Sequence, residues 1–210
     1  MHYDKDYFNW QKRGGQMSAK IDLWKFSKFL SDQDTVIDFG CGGGYLLAAL
    51  PGGKKYGVEL NPVARKNAEE LGINALEKLD DVTEKVDRII SNHVLEHTDN
   101  PLSVLGKMLG LLKEGGLAVI VLPIDEWRNE KKYYQGDINQ HLYTWTPLLA
   151  GNLFSKAGFD VERVEILTYS WIPFSRILYG LMPNWFYKRL CYLWALVIRD
   201  RQLRIIARKK

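Results

Sequence analysis

The chain has 210 residues, 46% hydrophobic, 12% aromatic and 26% charged, with a formal net charge of +4. That is an ordinary globular composition rich in aromatics, long enough for one domain with a sizeable core. Met1 to Trp10 carries no apolar run, so no signal peptide is expected there, and Cys41 and Cys191 lack metal-like spacing, so no metal is expected and a reduced, cytoplasmic setting suits them.

Thr35–Phe39 is a β-branched, apolar run ending in glycines and is predicted as a buried strand. A helix is expected from Gly44 to Leu50, stopped by Pro51-Gly52-Gly53. Lys55–Glu59 reads as the second strand. Asn61-Pro62 reads as the cap and first position of a helix reaching Leu71. Ile73–Leu76 and Val86–Ser91 are the third and fourth strands. Asn100-Pro101 starts a helix to about Lys113, and a turn at Glu114-Gly115-Gly116 leads into strand five, Leu117–Leu122. A helix at Pro147–Ala157, a strand at Phe159–Leu167 and a last strand at Gln202–Arg208 complete the order. Repeated β-α-β with buried strands implies an α/β, Rossmann-like doubly wound sheet.

Charge is unevenly spread. From Tyr169 to Lys210 there are nine Lys/Arg and one acid, Asp200, a net of +8, which leaves residues 1–168 at −4. Such a basic segment favours phosphate-bearing partners or anionic membrane surfaces, or is simply a solvated face. Residues 169–201 also hold nine of the 26 aromatics and are interrupted by Pro173 and Pro183. Leu190–Ile198 is apolar but too short to span a bilayer. The insert admits three readings: a helical cap over the substrate pocket, a peripheral contact with the inner face of the membrane, or a homodimer interface.

The chemistry concentrates around Val36-Ile-Asp-Phe-Gly-Cys-Gly-Gly-Gly-Tyr45, a strand running into a glycine turn. In an open α/β sheet, ligands bind beyond the carboxyl ends of the strands. The dinucleotide pattern G-x-G-x-x-G fails in both frames, because Tyr45 or Leu47 holds the third glycine position. Asp38, just before the glycines, suits a cationic ligand better than a pyrophosphate. Glu59, nineteen residues after Gly40, can accept both hydroxyls of a ribose.

Together these segments resemble the class I S-adenosylmethionine-dependent methyltransferases. Ser91-Asn-His-Val-Leu-Glu-His97, Lys113-Glu-Gly-Gly-Leu117 and His141-Leu-Tyr-Thr-Trp-Thr-Pro147 are similar to the small-molecule subfamily that includes quinone-biosynthesis enzymes. The resemblance covers roughly residues 30–168 and the last strand. It implies a mostly parallel seven-stranded sheet of order 3-2-1-4-5-7-6, with an antiparallel last strand. It further implies one domain: an N-terminal cap over 1–30, a core over 31–168 and 202–210, and the 169–201 insert. The cofactor would be S-adenosylmethionine, with S-adenosylhomocysteine as product.

Carried over, Asp38, Gly40, Cys41 and Gly42 line the methionine part, Glu59 holds the ribose and Leu60 lies against the adenine. Glu77 is the nearest acid to the adenine amino group, with Asp80 and Asp81 competing. Asn92 and His93 sit beside the methyl donor. The acceptor is expected to be small, hydrophobic or linked to a lipid or glycan, methylated on oxygen, or on nitrogen or carbon. His141, on the loop after strand five, is the first candidate general base and His93 the second, while His97 is read as bracing its helix. Tyr7 and Trp10 could fold over the cofactor. A nucleic-acid substrate is disfavoured, because Ser91-Asn-His-Val94 stands where an Asn/Asp-Pro-Pro-aromatic run would be. A non-catalytic binding module is the remaining alternative.

Overall fold

The computed structural model describes residues 14–125, 132–135, 137 and 140–210. The stretch Tyr3–Trp10, with Tyr7 and Trp10, lies outside the described residues. Seven strands form one sheet: β1 Thr35–Phe39, β2 Lys54–Val58, β3 Asn74–Leu76, β4 Val86–Asn92, β5 Leu112–Ile124, β6 Asp160–Leu167 and β7 Arg201–Arg208. Their order is β3-β2-β1-β4-β5-β7-β6. The first five are mutually parallel, and β7 runs antiparallel to both β5 and β6. The expected topology is therefore the observed one.

Side chains alternate across the sheet, as the pleat requires. Ile37, Ile89 and Ile120 enter one hydrophobic core with Leu105, Met108 and Phe154. Val36, Ile90 and Val119 enter a second, on the other face, with Phe26, Leu47 and Ala68. Each central strand is thus buried on both sides, as parallel strands between helical layers must be.

The helices are residues 14–21 (α1), Tyr45–Ala49 (α2), Pro62–Glu70 (α3), Pro101–Leu111 (α4), Pro147–Lys156 (α5), Ser175–Leu178 (α6) and Asn184–Ile198 (α7). Three of them start alike. The side chains of Asn61, Asn100 and Thr146 accept from Val63 N (2.9 Å), Ser103 N (3.0 Å) and Leu149 N (3.2 Å). In each case proline follows at the first helical position, where its missing N–H costs nothing.

The structure corrects one boundary. Helix α4 ends at Leu111, and Glu114-Gly115-Gly116, expected as a turn, lies inside β5. Pairing shifts there, with Val86 opposite Leu112 but Arg88 opposite Leu117. Gly115 adopts φ +74°, which a glycine accommodates without strain. Its N–H donates to Lys209 O, and Lys209 N to Gly116 O, so the end of the chain satisfies the irregular backbone.

The 169–201 insert carries two helices, α6 and α7, and none of its residues lines the cavity at the carboxyl ends of β1, β2 and β4. Tyr187 and Cys191 on α7 pack with Met17 and Ile21 of α1 and with Tyr169. Tyr187 Oη donates to Ser175 Oγ at 2.8 Å, tying α7 to α6. The opposite face of α7 leaves Trp185, Leu193, Leu196 and Val197 exposed. No helix among the described residues is long and apolar enough to cross a membrane.

Gly40 sits at φ +77°, and a Cβ placed on it would meet Val94 Cγ2 at 2.2 Å. Gly40→Ala therefore combines a left-handed alanine with a clash in a packed loop. It should lower stability in urea by about 1–3 kcal/mol, whereas Gly106→Ala, with nothing in contact range, should not.

Candidate functional site

The carboxyl ends of β1, β2 and β4 open into a cavity of about 470 Å³. Gly40 and Gly42 form its floor, with Glu59 and Leu60 on one wall and Asn92 and His93 on another. Three left-handed glycines, Gly40, Gly42 and Gly44, fold the chain back after β1. Gly40 N donates to Val58 O at 2.7 Å, pinning the turn to β2. No atom stands within 4 Å of a Cβ built on Gly42, so the backbone there lies open to an approaching ligand.

Glu59 follows β2 directly. Its Oε2 accepts from Gly42 N (3.0 Å) and its Oε1 from Asn61 N (2.8 Å). Burial nevertheless raises its pKa above the ordinary value. Asp38, 3% exposed at the end of β1, is buried beneath the turn. Burial first, and then repulsion from Glu59, push its pKa up to about 7. Asn92 contributes a buried Oδ1 without a hydrogen-bond partner. The half-buried Glu59 carboxylate and the unpartnered Asn92 carbonyl oxygen, with the buried Asp38 carboxyl nearby, form an acceptor-rich setting, suited to a ligand bearing an ammonium group and hydroxyls.

Cys41 does not line the cavity. Its side chain packs into the core against Gly57, and burial together with Asp38 pushes its thiol pKa up. Of the three acids competing near β3, Glu77 and Asp80 line the cavity, whereas Asp81 turns back to accept from Lys78 N at 3.0 Å. Glu77 pairs with Arg65 (3.3 Å) and Asp80 with Lys107 (2.5 Å).

Beyond Asn92 lies a second polar cluster. His93 adopts φ +57°, held by its N–H donating to Val121 O at 2.9 Å. Burial, then the nearby Lys25 ammonium, push the His93 pKa down to about 4. Its Nδ1 is 3.6 Å from Oε1 of Glu96, a carboxyl buried completely, with no hydrogen-bond partner on either oxygen. Burial pushes the Glu96 pKa up to about 7. The His97 ring meets the His141 ring edge-on at 5.0 Å. His141 Nδ1 is 3.0 Å from Asp125 Oδ2, at the end of β5. The fold thus joins His141, forty-four residues downstream, to the segment after β4. Glu96 and Asp125 were not singled out from sequence. An isolated acid after a strand carries no signal until its partners are in place.

A family model described as a methyltransferase domain matches residues 10–164. The ubiquinone biosynthesis O-methyltransferase of Ruegeria sp. is 33% identical over 96 residues, which span 40% of this chain and 39% of that protein. The ribosomal protein L11 methyltransferase of Neisseria gonorrhoeae is 33% identical over 127 residues, spanning 56% of this chain and 42% of that one. The matched part of the chain therefore spans only about two fifths of these relatives. A SAM-dependent methyltransferase from Archaeoglobus fulgidus superposes with TM-score 0.67 at 18% identity, covering 98% of this chain and all of the other. A chain from the complex between the Haloferax volcanii Trm112 methyltransferase activator and its methyltransferase superposes with TM-score 0.69 at 20% identity, covering 98% of each.

Asp38 supplies a test of the site's electrostatics. Its pKa is raised from 3.8 to about 7 on folding, so its contribution to stability is present below about pH 4 and lost as pH rises through 7. Asp38→Asn should make the ligand-free protein melt higher than wild type at pH 8, with the gap smaller at pH 5 and closing only below about pH 4. An unchanged gap between those pH values would contradict the assignment.

Proposed function

Because the chain belongs to the S-adenosylmethionine-dependent methyltransferases, we propose that it moves the methyl group onto an oxygen of a small hydrophobic or lipid-linked acceptor. S-adenosylmethionine brings a methyl group already activated by its sulfonium. The enzyme's remaining tasks are to hold it, align an acceptor behind the methyl carbon and exclude water. Glu59 holds the ribose hydroxyls, and Gly40 and Gly42 let the methionine part lie against the backbone. Asp38 and the Asn92 carbonyl oxygen face the amino group. Leu60 and either Glu77 or Asp80 flank the adenine. The observation that carries this reading is the unpartnered, buried Asn92 Oδ1 in the same cavity as Glu59.

An oxygen acceptor loses a proton as its new bond to carbon forms, and a positioned imidazole accelerates such a step by about 10²–10⁴-fold. His93, between the cavity and Glu96, and His141, oriented by Asp125, are the two imidazoles on the acceptor side. Neutral His93 has a lone pair to receive the proton. The ubiquinone-biosynthesis relatives support an oxygen nucleophile, and the apolar face of α6 and α7 supports an acceptor that carries a hydrocarbon chain.

That face also supports peripheral contact with the inner side of an anionic membrane. Phe174, Leu181, Trp185 and Val197 are exposed, and residues 169–199 contain four Lys/Arg and no acid. The same positive charge on both copies disfavours a homodimer through this surface. Sedimentation with phosphatidylglycerol vesicles should carry the protein down, and Trp185→Glu should reduce this several-fold. Equal sedimentation of both proteins would remove the membrane reading.

The acceptor is tested with S-adenosylmethionine and a panel of phenols and catechols, with and without prenyl chains, read by mass spectrometry. Methylation of a prenylated phenol, slowed about 10²-fold or more in His93→Ala, is the expected result. Methylation of amines alone would overturn the oxygen acceptor.

A further inference from the structure

The cluster beyond the cofactor cavity has a feature that methyl transfer does not use. Glu96 is fully buried, yet neither carboxyl oxygen has a hydrogen-bond partner. A buried carboxyl left without partners is costly unless a cation completes it. Besides His93, two more imidazoles stand around it, and one ligand atom from each of Glu96, His97 and His141 lies within 4.8 Å of the others. Asp125 Oδ2 is 3.0 Å from His141 Nδ1, close enough to fix the orientation of the ring. A carboxylate behind a ligating histidine is the arrangement that fixes tautomer and ring orientation at metal centres. Asp125 is itself held, its N–H donating to Thr144 Oγ1 at 3.1 Å.

We infer that Glu96, His97 and His141 form a site for one divalent cation of the zinc type, with Asp125 positioning His141. Two imidazoles and one carboxylate are a zinc-type donor set, better matched to that ion than to magnesium or calcium, which prefer oxygen ligands. Three protein ligands leave a fourth position open. His97 also lines the cofactor cavity, so the open position borders the acceptor side and can take an acceptor oxygen. This deepens the oxygen-acceptor reading and reassigns one residue within it. With the ion bound, His141 is a ligand and His93 is left as the base.

The site is tested without any acceptor, on tag-free full-length protein stripped with chelator and then dialysed. Titration with zinc by calorimetry should show one equivalent bound with micromolar affinity or better, and cobalt should give a visible absorption band. His141→Ala should weaken zinc binding at least a hundredfold, and Asp125→Asn by about tenfold to a hundredfold. Binding of S-adenosylhomocysteine by each variant reports that it is folded. Should Glu96→Gln fail that check, His141→Ala, whose side chain is 19% exposed, remains the deciding variant. No saturable zinc binding, or equal binding by wild type and folded His141→Ala, would overturn the inference. Either result leaves the methyl-transfer reading standing, because no adenosyl ligand or acceptor takes part.

Discussion

The tie between the glycine turn and β2 is the constraint on which the site depends. After β1 the chain must reverse within a few residues and expose its backbone to a ligand. It does so through three left-handed glycines, with Gly40 N on Val58 O and Gly42 N on the Glu59 carboxylate. One carboxylate thus braces the turn and faces the ligand. Val94, from the segment after β4, closes against Gly40 with no room for a side chain. Three strands are locked together at their carboxyl ends by contacts that only glycine permits. The cavity is the space these contacts leave open.

The cost of this arrangement is electrostatic. The buried Asp38 lies close enough to Glu59 for the two carboxyls to repel, and both have raised pKa values. Without a ligand, the two carboxyls repel one another in a medium that disfavours charge. A cationic ligand offsets that repulsion, so the feature that makes the empty site unfavourable makes it selective for a sulfonium and an ammonium over a pyrophosphate. The absence of a completed dinucleotide fingerprint and the presence of Asp38 follow from the same requirement.

Much of this is legible in the sequence because it is local. The Asn-Pro and Thr-Pro starts of α3, α4 and α5 are capping chemistry written in adjacent residues. The alternation of buried strands and helices leaves little freedom of topology. The expected turn at Gly115 lies inside β5 instead, because its backbone is satisfied by Lys209, nearly a hundred residues away. Cys41 sits within the motif, yet its side chain points to the core, which a linear pattern does not encode. The grouping of Glu96, His97, His141 and Asp125 is likewise a product of the sheet, which brings the ends of β4 and β5 side by side. Each residue looks ordinary until the strands pair.

The central claim is that the cavity at the ends of β1 and β2 is an adenosyl site read by Glu59. Calorimetric titration of wild type and Glu59→Ala with S-adenosylmethionine, S-adenosylhomocysteine and NADH tests it most directly. The account predicts micromolar binding of both adenosyl ligands, at least a tenfold loss in the variant, and no binding of NADH. Binding of NADH, or adenosyl binding that Glu59→Ala leaves unchanged, would contradict it.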